Sequence, residues 1–449
     1  MQRRSFLIHA GALTGTAALG QLGLLAARAA TTQDNYKALV CIFLAGGNDG
    51  NNMVVPVDAA GYTNYAAVRG DLALPQAQLL PIEESGGVLR YGLHPALTGT
   101  QSLWTAGNMA LVANVGTLVQ PLTKTQYLST ATQKPATLFS HIDQQHEWQA
   151  SISNAPSTTG WGGRLADQLN SLNVNSSISS MISTGGNNLF VTGAASQALV
   201  IPTSGSFGLS GFTSSSADAA RRAALVALLG LDQGADLVDA AQGVMNTALS
   251  SSAVLNPILT ASNATVAAHF SALTGNAFAQ QLLAIAKVIE ARSTLGAQRQ
   301  IFLATLGSFD THTDQINTQQ SLFSQLDPAI AAFQNAMAEI GAVDDVTSFT
   351  ISDFSRTFKP NTGGGSDHGW GSHHMVIGGA VHGGQVYGTM PTLTLGGPSD
   401  EGTLGRWLPT FSVDQYAATL AAWFGADSTA LAAVLPNLAA FTPNTLGFI

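Results

Sequence analysis

Charged side chains are scarce in this sequence. Only 10% of the 449 residues are Asp, Glu, Lys or Arg, whereas a typical soluble domain has about 25%. Hydrophobic residues make up 45% of the chain, and 47 residues are glycine. A disordered chain needs the opposite balance, with many charges and few apolar side chains. The composition therefore excludes disorder as the main state and predicts a folded protein.

Positive charge and cysteine are also in short supply. There are 17 Lys and Arg residues against 26 Asp and Glu, which gives a net charge of -9 and a pI near 5.5. A protein that binds nucleic acid normally offers a basic surface, so we expect no nucleic-acid partner. The single cysteine, Cys41, excludes an internal disulfide and is compatible with an oxidising compartment.

The first thirty residues are predicted to be an export signal. Arg3 and Arg4 precede an apolar stretch rich in Gly and Ala, and the small residues of a cleavage site follow at Ala27-Arg28-Ala29. The segment resembles a twin-arginine signal. Its apolar stretch is milder than a membrane-spanning helix, although an N-terminal membrane anchor is the alternative. We expect cleavage near residue 29 or 30, a periplasmic or extracellular protein, and no stable membrane span after cleavage.

Apolar stretches of strand length alternate with helical patterns along the rest of the chain. The stretches lack polar alternation, as do parallel strands buried on both faces, and they lie at 36–44, 109–115, 300–307 and 346–351. Helical patterns lie at 94–105, 139–150, 218–231, 266–295, 320–340, 413–424 and 428–435. This order predicts an α/β fold with a mostly parallel central sheet flanked by helices, over residues 31–449 as one domain. Residues 151–264 are expected to form an insertion or cap, or plain surface loops.

Histidine and aspartate are concentrated between Asp310 and His374. Seven side chains of this stretch are candidate metal ligands by their chemistry and position: Asp310, His312, Asp353, Asp367, His368, His373 and His374. Asp310 and His312 are two residues apart, so in an extended loop both can point at one ion. The alternative for Asp310 is a helix N-cap. His373 and His374 precede a strand pattern and should face opposite sides, so at most one is expected to be a direct ligand.

Four further residues complete the predicted site. Asp49, in the glycine-rich turn after the first strand, is expected to be a metal ligand or the acceptor of an Asx turn, and Asn52 a neutral donor to an anionic oxygen. Arg356 follows Asp353 by three residues and offers a planar fork for phosphate or sulfate, or for a structural ion pair. Ser140 precedes a helical pattern, where a hydroxyl can act as a nucleophile or as an ordinary N-cap.

Several motifs occur in an order that resembles the exported bacterial family called domain of unknown function 1501. They are LAGGNDGNNMVVP, YGLHPAL, SHIDQQHEW, GSFDTHTDQ, SDFSRT, GGGSDHGWGSHHMVIGG and GRWLPTFSVDQYAATLAAWFG. That family is grouped with the alkaline-phosphatase and sulfatase superfamily. The resemblance therefore implies an alkaline-phosphatase-like fold, two metal ions at the carboxyl edge of the sheet, and transfer of phosphate or sulfate esters. It implies metal roles for Asp49, for Asp310 with His312, for Asp353, and for one of His368, His373 and His374.

The sequence also departs from the superfamily pattern. Asp310 and His312 are closer than the usual Asp-x-x-x-His pair, Asp353 is followed by Phe354 instead of histidine, and no Cys-x-Pro-x-Arg sulfatase signature is present. Two functions remain open. One is an exported hydrolase of a phosphate or sulfate ester that uses zinc, magnesium, manganese or calcium. The other is an exported binding protein of the same fold without turnover. The expected partner is an anionic ester, either a small molecule or a polysaccharide.

Overall fold

The computed structural model describes residues 35–208, 215–231 and 234–449. The predicted export signal, residues 1–30, lies outside the described residues. The chain divides into two units, Met1–Tyr36 and Lys37–Ile449, and the elements below belong to the second unit. Among the described residues, no helix combines the length and the apolar character needed to cross a membrane.

Strands of the described residues form a large and a small sheet. They are β1 (Lys37–Leu44), β2 (Val54–Pro56), β3 (Leu80–Glu84), β4 (Val88–Leu93), β5 (Met109–Gly116), β6 (Met181–Ser183), β7 (Leu199–Val200), β8 (Arg299–Leu306), β9 (Val346–Ser352), β10 (Ser372–Ile377), β11 (Val386–Tyr387) and β12 (Phe411–Ser412).

Helices connect and cover these strands. They are α1 (Gly50–Met53), α2 (Ala59–Arg69), α3 (Thr98–Thr105), α4 (Lys124–Leu128), α5 (His141–Ala150), α6 (Trp161–Leu169), α7 (Ser216–Leu229), α8 (Asp236–Thr260), α9 (Ala277–Glu290), α10 (Arg292–Leu295), α11 (Gln315–Glu339), α12 (Val413–Phe424) and α13 (Ser428–Val434). Short 3-10 segments occupy Gly70–Leu72, Gln76–Gln78, Asn170–Asn173, Leu189–Val191, Thr265–Leu273 and Leu438–Ala440.

The large sheet has the strand order β11-β5-β10-β9-β1-β8-β6-β7, with β12 also paired to β5. β1 runs parallel to both β8 and β9, and β6 runs parallel to β7 and β8. β10 runs antiparallel to its neighbours β5 and β9. The small sheet is antiparallel, with the order β2-β4-β3. The predicted α/β class with a mostly parallel central sheet is therefore confirmed, and the four predicted strands are β1, β5, β8 and β9.

The long strands of the large sheet are buried on both faces, and in β1 this burial explains the nearly unbroken apolar sequence. Every residue of β5 and β9 is buried, as are seven of the eight residues of β1. On one face of β1, Leu39, Cys41 and Phe43 belong to a core cluster shared with α5, α6, α12 and α13. β9 carries buried hydroxyls as well, and two of them are hydrogen-bonded: Ser352 donates to the carbonyl of Leu44, and Thr350 accepts from the backbone nitrogen of Met375.

The register brings several loops to one edge of the large sheet. Leu44, the last residue of β1, lies opposite both Leu306 of β8 and Ser352 of β9. Since β10 is antiparallel, its first residue, Ser372, lies opposite Val115 near the end of β5. The loops that follow β1 and β8 therefore meet the loop that joins β9 to β10.

The interval 151–264, for which we expected an insertion or cap, divides into two parts. β6 and β7 extend the large sheet, and α6 places Trp161 and Leu165 in the core. By contrast, α7 and the first half of α8 are mostly exposed. The first part of the interval thus contributes to the central sheet and its core.

Candidate functional site

Polar side chains from two loops and from the start of one helix converge at the edge of the sheet described above. Asp310 and His312 follow β8, Asp353 and Arg356 follow β9, and Asp367 and His368 precede β10. His141 is the first residue of α5. We call His141, Asp310, His312 and His368 the histidine–aspartate cluster.

Asp310 lies at the centre of this cluster. Its Oδ1 atom is 3.1 Å from His312 Nε2, 3.4 Å from His368 Nε2 and 3.4 Å from His141 Nε2. The Nε2 atoms of His312 and His368 are 3.0 Å apart. One carboxylate oxygen and three imidazole nitrogens thus share a small volume.

A second hydrogen bond fixes the orientation of each imidazole. Nδ1 of His141 lies 2.7 Å from Asp353 Oδ2, Nδ1 of His312 lies 3.2 Å from Asp367 Oδ1, and Nδ1 of His368 lies 2.6 Å from the carbonyl oxygen of Phe139. Carboxylate and carbonyl oxygens accept only, so each Nδ1 carries the proton. The three Nε2 lone pairs then point into the cluster.

This arrangement fits a metal ion. Facing lone pairs of His312, His368 and Asp310 repel one another at these separations unless a cation or a shared proton lies between them. Three nitrogens and one oxygen are a donor set that zinc uses, and outer carboxylate or carbonyl partners are typical of metal-binding histidines. The ligand atoms of His141, Asp310 and His368 all lie within 4.8 Å of one another. His312 Nε2 lies beside Asp310 and His368 but outside that compact group of three.

The charges around the cluster favour ionised Asp310. Burial raises the pKa of Asp310, but the hydrogen bond and charge of Arg356, followed by the charges of His141 and His312, lower it overall. The bond to Asp353 raises the pKa of His141, whereas burial lowers the pKa of His368. Asp310 is therefore a carboxylate and His368 a neutral ligand near neutral pH, as metal binding requires.

Two backbone features allow the loops to approach this closely. Gly46 has a φ of +115°, and a Cβ atom there would lie 2.5 Å from the backbone nitrogen of Asp310. Phe139 has a φ of 71°, in the left-handed region that bulky residues rarely occupy. Its carbonyl oxygen is the acceptor for His368, so the unusual backbone conformation serves the orientation of a cluster histidine.

Arg356 and Asp353 each form a hydrogen bond with a residue of the histidine–aspartate cluster. Arg356 is fully buried, donates from Nη1 to Asp310 Oδ1 at 2.8 Å, and donates from Nη2 to the carbonyl of Ser366. Asp353 accepts from Gly46 N at 2.9 Å, from Gln145 Nε2 at 2.8 Å and from His141. The guanidinium thus binds a protein carboxylate, and Asp353 holds a cluster histidine in place.

Asp49 lies apart from the cluster and is already saturated with donors. Its Oδ2 atom accepts from Arg69, which is fully buried, and from Gln315 Nε2 at 2.5 Å. Its Oδ1 atom accepts from the backbone and side-chain nitrogens of Asn51 at 3.0 and 2.9 Å. Four donors occupy the lone pairs of both oxygens. Of the two expected roles, the Asx turn is the one present, and a second metal ion at Asp49 does not fit these contacts.

Asn52 and Ser140, both predicted to take part in the chemistry, differ in how their side chains are engaged. The Asn52 amide donates to the carbonyl of Leu72 at 2.9 Å and accepts from the hydroxyl of Tyr65 at 2.8 Å, so it points into the protein. Ser140 is the N-cap residue of α5 and is half-buried, and its side chain makes no capping hydrogen bond. Its chain neighbour His141 belongs to the cluster.

His373 and His374 are both buried outside the cluster. Nδ1 of His373 accepts a hydrogen bond from the backbone nitrogen of Asn114 at 3.1 Å. His374 packs against Trp148 and Tyr416, with ring centroids 4.6 and 5.8 Å away. Burial lowers the pKa of His373 to about 4 and that of His374 to about 3, so both rings are neutral near pH 7.

Sequence reasoning named the serine of the SHIDQQHEW motif and missed the histidine beside it. His141 contacts Asp310 and Asp353, and Gln145, four residues later on the same face of α5, also contacts Asp353. The spacing of i and i+4 was the available signal, since such residues share one face of a helix. Nothing in the local sequence showed that this face would point at Asp353.

Fold and site together define an α/β protein with a histidine–aspartate cluster at the carboxyl edge of its central sheet. The chain belongs to the family described as "Protein of unknown function (DUF1501)", which it matches over residues 36–398. The family resemblance of the motifs is thereby confirmed. A comparison with curated proteins found no match.

Solved structures with similar folds include three hydrolase or synthase structures. The lipoteichoic acid synthase LtaP from Listeria monocytogenes has 8% identity and a TM-score of 0.34, covering 89% of this chain and 75% of its own. A sulfatase from Pseudoalteromonas sp. has 11% identity and a TM-score of 0.33, covering 90% and 75%. The phosphonate monoester hydrolase of Agrobacterium radiobacter has 10% identity and a TM-score of 0.32, covering 86% and 73%.

Proposed function

We propose that this protein is an exported, metal-dependent hydrolase of a phosphate or sulfate ester. The observation that carries the proposal is the convergence of three imidazole Nε2 atoms on Asp310 Oδ1, at 3.1 to 3.4 Å. Each imidazole is oriented by an acceptor on its far side, which is the arrangement of a prepared metal centre.

His141, His312, His368 and Asp310 would hold the ion. A divalent ion bound there would polarise an ester oxygen and lower the pKa of a nearby water or hydroxyl. The nitrogen-rich donor set favours zinc or manganese over magnesium or calcium, which prefer oxygen ligands. Asp353, Asp367 and the Phe139 carbonyl keep the imidazole rings in place, and Arg356 holds Asp310.

Ser140 is the nucleophile that we propose for ester cleavage. It immediately precedes the cluster residue His141, and its hydroxyl is free of the usual capping bond. The amino end of α5 places the positive end of the helix dipole beside this hydroxyl, which favours an alkoxide and an anionic ester. The anion-binding role expected for Asn52 has no support from its contacts, because both ends of its amide are engaged.

Assays on aryl phosphates and aryl sulfates test the proposal. Protein lacking residues 1–30 is incubated with zinc or manganese, and release of the aryl alcohol is followed. We expect turnover in the wild type, loss of turnover in Asp310→Ala, and a fall of about a hundredfold or more in Ser140→Ala. Asp314→Ala, an exposed aspartate in the same loop, is the control. Turnover that is absent from the metal-loaded wild type, or unchanged in Asp310→Ala, would contradict the proposal.

A second function, an exported binding protein without turnover, is favoured by one observation. Arg356 and Asn52 were expected to bind the anion, but both donate hydrogen bonds to acceptors within the protein. A protein of this kind would release no aryl alcohol from aryl phosphates or aryl sulfates, even when it is loaded with zinc or manganese. Turnover that depends on Asp310 rules this alternative out.

We further propose that residues 1–30 direct export by the twin-arginine route to the periplasm or the cell exterior. The support is the Arg3-Arg4 pair, followed by an apolar stretch and small residues near position 29. Replacing both arginines with lysine is expected to leave the protein in the cytoplasmic fraction. Unchanged export of that variant would contradict the route.

A further inference from the structure

A cavity of about 340 Å³ lies beside the small antiparallel sheet, outside the histidine–aspartate cluster. Its wall combines the start of α2, strands β2 and β4, the start of β10 and the loop at 390–394. No residue of the cluster lines it. Small-molecule sites are usually concavities of roughly 300 to 1,000 Å³, so the volume suits a ligand of one ring.

His373 supplies an unused hydrogen-bond donor to this cavity. Its Nδ1 atom accepts from the backbone nitrogen of Asn114, so the neutral ring carries its proton on Nε2. Nε2 has no hydrogen-bond partner among the described residues, although His373 is only 5% exposed and lines the cavity. Nε2 is not among the side-chain nitrogens closed off from solvent, so a ligand oxygen that enters the cavity can accept a hydrogen bond from it.

The remainder of the wall combines polar and apolar groups. Tyr91 offers a hydroxyl with no hydrogen-bond partner among the described residues. Asn64 donates to the carbonyl of Leu393 at 2.6 Å, which leaves its own amide oxygen as an acceptor. Met390 and Pro391 add apolar surface. The wall thus offers donors, acceptors and apolar surface together, which suits a sugar ring with its hydroxyls and C–H faces.

The charge of the wall argues against other ligand classes. Among the described residues, no lysine or arginine lines the cavity, so it lacks an anchor for a phosphate, sulfate or carboxylate. Its one acidic residue, Asp58, is exposed and caps α2 by accepting from Gly61 N at 2.9 Å. A wholly apolar ligand would leave the His373 donor unpaired.

We propose that this cavity is a binding site for a neutral saccharide unit, with a sugar hydroxyl accepting from His373 Nε2. The site is separate from the proposed hydrolase centre, although Asn51 connects the two regions. Asn51 lines the cavity and donates from Nδ2 both to Asp49 and, at 3.0 Å, to the carbonyl of Arg356. Saccharide binding does not require the histidine–aspartate cluster to hold a metal or to be active.

Imidazole NMR tests this proposal without any assay of activity. Protein labelled with ¹⁵N-histidine is titrated with the methyl glycosides of glucose, galactose and N-acetylglucosamine, and His373→Gln identifies the resonance of His373. We expect at least one glycoside to shift that resonance in a saturable way. Methyl phosphate and methylamine, as the charged probes, are expected to leave it in place.

Two exposed alanines on α2 provide a matched pair of variants. Ala60 lines the cavity and Ala67 does not, and both are exposed, so neither substitution disturbs the core. We expect Ala60→Trp to weaken glycoside binding about tenfold or more by filling the entrance, and Ala67→Trp to bind as the wild type does. The proposal is overturned if no glycoside shifts the His373 resonance, if a charged probe shifts it instead, or if Ala60→Trp binds as tightly as Ala67→Trp.

Discussion

The orientation of single imidazole rings determines what the histidine–aspartate cluster can bind. His141 presents Nε2 to Asp310 because Asp353 accepts from its Nδ1 at 2.7 Å. Asp353 is itself held by Gly46 N and Gln145. A buried carboxylate that touches only the far side of a ligand still governs metal affinity, since it fixes the ring and its tautomer.

Replacing Asp353 with asparagine tests this dependence. The amide keeps the size of the side chain but removes its charge, so we expect zinc affinity to fall by about tenfold to hundredfold while the fold is retained. Competition with a fluorescent chelator measures the affinity, and circular dichroism checks the fold. Asp344→Asn, at an exposed position, is the matched control. Equal affinity in the two variants would show that Asp353 does not orient His141.

Glu147, on α5, predicts a dependence of stability on pH. Burial raises the pKa of Glu147 from 4.5 to about 8, although Thr117 and Gln144 partly oppose this. Between these pH values the folded protein holds a proton that the unfolded chain has released. The free energy of unfolding therefore falls as pH rises through this window and levels off above it.

Urea denaturation across that pH range measures the effect. We expect Glu147→Gln to flatten the slope and to raise the free energy of unfolding above about pH 8 by on the order of 2 kcal/mol. Glu83→Gln, at an exposed position, is expected to behave as the wild type does. The same slope in Glu147→Gln as in the wild type would assign the pH dependence to other groups.

The sequence predicted most residues of the cluster, but it did not predict which carboxylates are free to bind a ligand. Asp310, His312 and His368 meet as residue chemistry and loop position suggested. Asp49 has the same chemistry and also follows a strand, yet Arg69 and Gln315 occupy its oxygens. Those partners are 20 and 266 residues away along the chain. Local spacing carries no information about contacts of that range, so it could not distinguish a free carboxylate from a saturated one.

At the scale of elements, the long buried strands were easier to predict than the helix boundaries. The strands β1, β5, β8 and β9 are almost entirely buried, and each matches one of the four predicted stretches. The helical pattern at 266–295 is instead three elements: Thr265–Leu273, α9 and α10. Gly275 and the N-cap Asn276, which accepts from Ala279 N at 3.0 Å, interrupt it. The apolar residues before and after Gly275 and Asn276 keep a helical spacing, so the sequence pattern did not reveal the break.

Helix α8 has one end in the core and one end in solvent. Leu255 is fully buried, whereas Leu237 is 87% exposed. We expect Leu255→Ala to lower the free energy of unfolding by about 2–5 kcal/mol, because it leaves a cavity. Leu237→Ala should change it by less than about 0.5 kcal/mol. Urea denaturation of the two variants compares them, and similar losses in both would show that the first half of α8 is packed against the protein.

At the scale of the whole molecule, charged residues are scarce, so the buried charged side chains are informative about where the functional site lies. Arg69 and Arg356 are both fully buried, and each is bonded to an aspartate near the carboxyl edge of the sheet. Arg356 binds Asp310 beside three imidazoles, and that carboxylate stays half-exposed. Arg69 binds Asp49, which is itself buried and fully bonded. In the part of the chain that the structure describes, one centre is therefore suited to a metal ion, whereas Asp49 is already neutralised by Arg69.

Metal content per chain is the measurement that tests this account most directly. Protein lacking residues 1–30 is incubated with zinc or manganese and desalted, and its bound metal is measured by plasma mass spectrometry. We predict one ion per chain in the wild type and in His382→Ala, whose histidine is exposed, and loss of that ion in His141→Ala. A metal-free wild type, two ions per chain, or an ion retained in His141→Ala would contradict the account.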